Sequence, residues 1–332
     1  SRRQRQMCIR DRYKMSIFKL DPAFKDYIWG GTRLRDEYGK KCDYDKVAES
    51  WELSCHKDGP SVVANGEYKG LTLNEYIEKA GKGVLGKNCE RFENFPILIK
   101  LIDAKDNLSV QVHPDNDYAM RVEGEYGKTE MWYVVDCDEG ATLLYGFKHE
   151  ITKEEFARRI ADNTLLEVTN AVPVKKGDVF FIKSGTLHAI GKGILIAEIQ
   201  QNSNTTYRIY DYGRVGNDGK PRELHVNKAL DVTKLAPAEQ YPETPVEKKD
   251  GYDIKLLSKC EYFTTYRVNV ETKAELDADE NSFNSILVLE GEPVISGGET
   301  VSAKKGESVF ISAGTGKYTV EGKCTFVLTK ID

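Results

Sequence analysis

A chain of 332 residues with 40% hydrophobic and 30% charged side chains has enough apolar material for a packed core, and its length points to two domains. Its 48 basic and 53 acidic residues leave a net charge of −5, which offers no general attraction to nucleic acid or anionic membrane. The longest apolar runs, 97–102 and 194–199, are interrupted by Lys100 and Glu198 and fall far short of the ~20 residues of a membrane-spanning helix.

Residues 1–14, SRRQRQMCIRDRYK, carry five arginines and no apolar period, and are expected to be a non-native or disordered leader. From Met15 the pattern is one of short β-type runs. Residues 47–54 and 61–64 read as strands, with Asn65-Gly66 as a turn signal. Residues 71–80 have helical spacing, with Thr72 as cap and Glu75 three positions later. Strands are predicted at 97–102, 108–112, 131–135, 142–145, 179–182 and 194–200, and TKEE from Thr152 opens a helix to 166 with a second capping box. Short strands, Gly-rich turns and few helices predict a mainly β sandwich or barrel and disfavour a parallel βαβ sheet.

The chain also echoes itself. KKGDVFFIKSGTLH at 175–188 returns as KKGESVFISAGTGK at 304–317, and Glu130-Met-Trp-Tyr-Val-Val-Asp can be set against Asn284-Ser-Ile-Leu-Val-Leu-Glu. The two matches lie at different offsets, so the loops between them must differ in length. Two related β units follow, a first over 15–245 and a second over 246–332. Lys317 and Asn284 stand in the second unit where the first has His188 and Glu130, so any site built on that pair is lost there. Seven scattered cysteines without a CxxC pair argue against a disulfide framework or thiolate zinc cluster, and for a reducing cytoplasm.

Of five histidines, two sit where chemistry is possible. Gln111 and His113 alternate on a predicted strand and share a face; Glu130 opens the next strand, and His188 follows the turn Lys183-Ser184-Gly185-Thr186. Two imidazoles, a carboxylate and an amide oxygen form an N/O set suited to zinc, manganese, iron, cobalt or nickel as divalent ions. The alternative makes His113 a hydrogen-bonded strand residue and His188 a turn residue. His56 reads as an exposed turn residue, and His149 and His225 as structural or surface groups.

QVHP at 111–114, KTEMWYV at 128–134, SGTLHAIGKG at 184–193 and EIQQNSNTTYRIYDYGR at 198–214 closely resemble the type I mannose-6-phosphate isomerases of the short bacterial kind, as do WGG at 29–31 and AESWELS at 48–54. The resemblance runs from about residue 18 to 235, with a weaker tail beyond. It implies a cupin jelly roll with a small helical insertion and a second, degenerate cupin-like unit. It also implies one divalent metal, usually zinc, held by Gln111, His113, Glu130 and His188, and interconversion of mannose 6-phosphate and fructose 6-phosphate through an enediol. Gly177, Gly185 and His188 fit the general second cupin motif, with Lys183 replacing its usual proline.

Lys100, Lys128 and Arg208 are the candidate cations for substrate and catalysis. Lys100 is by itself a solvated or snorkelling lysine or, by Ile-Lys-Leu alternation, one aimed inward, where the resemblance implies an active-site lysine. Lys128 is two before Glu130. Arg208, by itself a surface residue or cation–π partner, matches an arginine that the resemblance places beside the substrate, its planar fork suiting phosphate or enediolate oxygens. For proton transfer the candidates are Glu198, a carboxylate on an apolar strand, and a lysine with its pKa depressed by burial and the metal; an ion pair is the alternative role for Glu198. Ser109 and Glu49 are lesser substrate contacts, and Asn204, where the family often has Asp, takes no proton-transfer role. The implied partner is a small sugar phosphate, with no nucleic acid or membrane, and the chain is expected to be a monomer or weak homodimer. Two other classes compete: a catalytically weak sugar-phosphate sensor, and an iron-dependent cupin oxygenase, which leaves the cations unexplained. The lack of a Walker A loop or GxGxxG excludes a fused nucleotide-sugar pyrophosphorylase.

Overall fold

In the computed structural model, which describes residues 16–216 and 218–332, period-two apolar patterning sorts the strands into four sheets. The leader expected at 1–14 lies outside the described residues. A six-stranded sheet runs in the order Val179–Ile182, Glu130–Cys137, Ile194–Gln201, Ile97–Ala104, Glu49–Leu53, Ala23–Lys25. A five-stranded sheet runs Tyr207–Tyr210, Val110–Val112, His188–Ala189, Thr142–Phe147, Thr169–Pro173. Ile102, Trp132, Val134 and Ile196 of the first meet Leu143, Tyr145 and Ile190 of the second, which makes one sandwich. Helices Lys153–Ala161 and Val226–Val232 cover the outer face of the five-stranded sheet, where Phe156 and Ala229 pack on Val110, Val112, Ala189 and Tyr207.

The second sandwich pairs an eight-stranded with a four-stranded sheet, with Val268, Ile286, Val288 and Phe326 against Ala274, Ile295 and Val320. The remaining face of the six-stranded sheet (Ile97, Ile99, Leu101, Met131, Tyr133) packs on Leu287, Phe310 and Val327 of the eight-stranded one. Burial on both faces is why 97–102 reads as an almost unbroken apolar run. One segment departs from the expected division of the chain. Strand Ile17–Asp21 pairs with Ser308–Ile311 of the second sandwich and with Val62–Val63. Ile17 faces the second core while Phe18 and Leu20 face the layer between the sandwiches, so both sides of this strand are apolar contacts.

The internal echo is a repeated strand pairing. Ile182 lies opposite Glu130, and Ile311 lies opposite Asn284, in matching antiparallel registers. The longer loop of the first copy holds the helix Lys153–Ala161. In the second copy Asn284 donates to the Tyr318 hydroxyl at 2.9 Å, so side-chain packing fills the place that Glu130 occupies in the first.

Both predicted helices form. Thr72 and Glu75 make the reciprocal capping box on Leu73–Ala80. Thr152 accepts from the Glu155 amide, but the Glu155 carboxylate is drawn to Arg159 at 2.8 Å instead of returning to the cap. That helix stops at Ala161, short of 166, because Asn163 takes a left-handed φ of 59° and turns the chain. Among the described residues no helix is long and apolar enough to cross a membrane.

Candidate metal centre and active site

Gln111 and His188 lie opposite each other on the five-stranded sheet, His113 follows the end of the same strand, and Glu130 opens its strand on the facing sheet. Alternation sends Val110, Val112, Leu187 and Ala189 out to the helices and turns Gln111 and His188 inward. His113 Nε2 is 3.1 Å from His188 Nε2, and the Glu130 oxygens lie 3.4 Å from His188 Nε2 and 3.6 Å from His113 Nε2. The Gln111 amide nitrogen is 3.4 Å from His188 Nε2.

Backbone carbonyls place the ring protons. Thr205 O is 3.0 Å from His113 Nδ1, and Thr186 O is 2.8 Å from His188 Nδ1. A carbonyl only accepts, so each Nδ1 carries the hydrogen and each Nε2 presents a lone pair. Two lone pairs therefore face one another at 3.1 Å, beside a buried carboxylate whose Oε2 meets Lys128 and whose Oε1 accepts no hydrogen bond. Burial lowers the pKa of His188 to about 4, and burial, with Lys128 behind it, takes His113 well below its ordinary value. Both rings are thus neutral near pH 7. Burial and the Glu198 carboxylate raise Glu130.

This donor set fits a divalent ion. Ligands ~2.1 Å from a tetrahedral ion stand about 3.4 Å from one another, which is the spacing of these atoms; His113, Glu130 and His188 are also the one such group of His, Cys, Asp and Glu among the described residues. Rotating the Gln111 amide exchanges its nitrogen for its oxygen without moving other atoms, so it can offer a fourth lone pair. Lys128 Nζ, 2.9 Å from Glu130 Oε2 and 3.2 Å from His113 Nε2, balances part of the charge.

A cavity of about 250 Å³ opens beside the ligands, lined among others by Glu49, Lys100, Ser109, Lys128, Glu198 and Arg208. Lys100 Nζ lies 3.5 Å from Glu49 and 3.3 Å from Glu198, and 5.0 Å from the centre of the Trp51 ring. Burial alone would lower the Lys100 ammonium, but Glu49, Glu198 and Glu130 outweigh it and raise its pKa. The lysine expected to be depressed by burial and the metal is, at Lys100, held up by the carboxylates around it, the charge of an ion aside. Burial would likewise raise Glu198, yet Lys128, Lys100 and the Trp132 indole hold it well below the carboxylate range. Trp132 Nε1 donates to Glu198 Oε1 at 3.0 Å. Of the two roles weighed for Glu198, the ion pair is present, with Lys100 as its partner. Ser109 Oγ is 3.5 Å from Gln111 Oε1, and Arg208 Nη1 donates to the Glu223 carbonyl at 2.9 Å.

Sequence reasoning missed several supports. Trp132 is two residues from Glu130, so the same alternation could have found it. His56 is a correction: it is buried, its Nε2 2.6 Å from Glu125 Oε1. The Glu125 carboxylate also accepts from Thr205 Oγ1 at 2.8 Å and the Asn204 amide at 3.2 Å, so it holds the loop whose carbonyl orients His113. The SCHKDG turn folds in against Trp51 (ring centroids 5.6 Å apart) and meets a carboxylate far away in sequence, which local pattern could not show. His149 is exposed, while His225 precedes the helix Val226–Val232 and accepts from the Arg208 amide at 3.2 Å.

Two stacked sheets with imidazole, carboxylate and amide donors converging between them define a metal-binding cupin. Residues 17–140 match the model for the phosphomannose isomerase type I catalytic domain, and residues 253–331 match that for the mannose-6-phosphate isomerase cupin domain. The mannose-6-phosphate isomerase ManA of Bacillus subtilis is 40% identical over 312 residues, covering 93% of this chain and 97% of that protein. The mannose-6-phosphate isomerase of Streptococcus mutans is 40% identical over 291 residues, 86% of this chain and 88% of its own. The crystal structure of the mannose 6-phosphate isomerase from Bacillus subtilis superposes with a TM-score of 0.89 at 39% identity, covering 95% of this chain and 99% of that one. The chain belongs to the type I mannose-6-phosphate isomerase family. No feature of the site favours the sensor alternative.

Proposed function

We propose that the chain is a metal-dependent aldose–ketose isomerase that interconverts mannose 6-phosphate and fructose 6-phosphate. The observation that carries this is the pair of facing Nε2 lone pairs beside the buried Glu130 carboxylate, next to a cavity lined by Gln111, Lys100, Lys128 and Arg208. Gln111, His113, Glu130 and His188 would hold the ion, with zinc as the metal that two imidazoles and a carboxylate suit. When bound, such an ion polarises a carbonyl and its neighbouring hydroxyl, so that less energy is needed to develop an oxyanion.

The chain's own residues do the rest. Isomerisation takes the C2 hydrogen away as a proton; its electron pair becomes the C1–C2 double bond, and the former carbonyl oxygen takes a proton to complete the enediol. The C2 hydroxyl then gives up its proton as C1 receives one, which leaves the ketone at C2. Glu198, ionised and at the cavity wall, accepts and returns the carbon-bound proton. Its low pKa makes it a weak base at rest, and negative charge growing on the substrate oxygens at the reacting carbons raises it. Lys100 and Lys128 face the growing negative charge as fixed ammonium groups, and Arg208 binds substrate oxygens. Ser109 and Glu49 line the same cavity and orient hydroxyls. The free cysteines among the described residues support a reducing cytoplasm, and the scatter of exposed large apolar side chains supports a monomer or weak homodimer.

A coupled assay on mannose 6-phosphate, with and without chelator, tests this reading. Turnover that stops with chelator and returns with zinc supports it; turnover that survives complete metal removal refutes it.

A further inference from the structure

We infer that Arg222, together with Arg208, forms the anion pocket that receives the substrate's phosphate, so that Arg222 sets the preference for a phosphorylated over an unphosphorylated hexose. The inference rests on the isomerase reading above and gives that site its second pole.

Four cations line the cavity: Lys100, Lys128, Arg208 and Arg222. The two lysines are already matched by carboxylates at the metal end, Lys100 by Glu49 and Glu198 and Lys128 by Glu130. Neither has charge to spare for a dianion. The arginines form a separate cluster, in which three guanidinium groups gather around one carboxylate. Arg222 Nε and Nη2 donate to Asp211 at 2.8 and 2.6 Å, and Arg214 Nη2 donates to the same residue at 2.6 Å. Arg208 spends Nη1 on the Glu223 carbonyl, and its buried Nε has no partner. Glu223 is the other acid nearby; its carboxylate is exposed, 3.8 Å from His225 Nε2. The cluster is left with a surplus of positive charge, and two of its arginines, Arg208 and Arg222, line the cavity.

The topology sets its place. Arg208 lies directly across from Gln111 on the neighbouring strand, so this guanidinium stands one strand from the metal ligands. The bridge between Val215 and Pro221 closes the loop that presents Arg222. Asp211, buried, fixes the Arg222 fork before any ligand arrives, and a guanidinium held in this way loses little freedom on binding phosphate. A hexose 6-phosphate carries its reacting carbons and its phosphate at opposite ends, and the one cavity is lined by the metal ligand Gln111 and by Arg208 and Arg222, whose cluster holds three guanidinium groups to one buried carboxylate.

The test compares wild type, Arg222→Ala and Arg222→Lys in the metal-loaded enzyme. It reads kcat and KM on mannose 6-phosphate, and inhibition by inorganic phosphate with calorimetry of phosphate binding. For R222A the KM and the inhibition constant for phosphate should both rise about 10- to 100-fold, the range for one charge-assisted hydrogen bond. The kcat should move far less, and R222K should recover part of the affinity through its charge. Asp211 keeps Arg214 in either variant, so the fold is retained, as circular dichroism and metal content check. Phosphate affinity unchanged in R222A, or kcat lost at constant KM, overturns the proposal. If wild type fails to turn over mannose 6-phosphate, the isomerase reading falls by itself; phosphate calorimetry on the two variants still decides the anion pocket.

Discussion

Replacing Lys100 with Met isolates the central charge cluster. Methionine keeps the apolar stem and the contact with Trp51 but removes the ammonium that sits between Glu49 and Glu198, all three side chains being nearly inaccessible to water. Removing one partner of a buried ion pair costs about 3–5 kcal/mol, because the remaining charge is left in a poorly solvating place. Trp51 and Trp132 still donate to the two carboxylates at 2.7 and 3.0 Å, and Lys128 remains near Glu198, so the lower half of that range is expected. The sign of the pH dependence follows from Glu198. Its folded pKa lies below the unfolded value, so its contribution is fully present above the ordinary carboxylate range and is lost as pH falls through the folded pKa. In K100M that depression shrinks. The variant should therefore be destabilised fully from pH 7 down through the ordinary carboxylate range, and the gap to wild type should narrow as pH falls below about 4 toward the folded pKa of about 2. Urea unfolding followed by circular dichroism, with chelator in both samples so that metal binding does not contribute, gives the difference directly. A loss below about 1 kcal/mol at pH 7, or a loss that does not change with pH, would show that the pair is solvated and the argument wrong.

Further outcomes can be checked independently. His113→Ala should lower metal affinity by at least about 100-fold, read as bound metal after dialysis, with turnover lost in parallel. Arg208→Ala should cripple turnover while metal content stays at the wild-type level. Glu125→Ala releases Thr205, whose carbonyl orients His113; about a 10-fold loss in metal affinity by calorimetry is expected, without loss of fold. Burial raises the Glu130 pKa and takes His188 to about 4, so bound metal should be lost progressively as pH falls below neutral and Glu130 takes a proton, with the His188 ring still neutral at pH 5; full metal content retained down to pH 4 would contradict the burial argument.

Much of the site was legible because period-two alternation is a local property of a chain. It puts Gln111 and His113 on one face and turns Lys100 and Glu198 out of their apolar surroundings into the same cavity. The repeat was legible for the same reason, since equal registers keep equal spacing of small and apolar residues. The charge states were not. Burial at Lys100 is outweighed by acids, because its carboxylates come from strands that only the sheet brings alongside.

The amino-acid order by itself determined which residue types could grip a cation, the β class and the helix caps at Thr72 and Thr152, since each depends on neighbours within a few positions. Tertiary structure alone decided that Ile17–Asp21 completes the second sandwich, that His56 is buried against Glu125, and that Arg208, Arg214 and Arg222 crowd one aspartate. Those contacts join segments whose separation along the chain carries no local signal, and their energies come from desolvation and charge, which depend on distance in space rather than on sequence spacing.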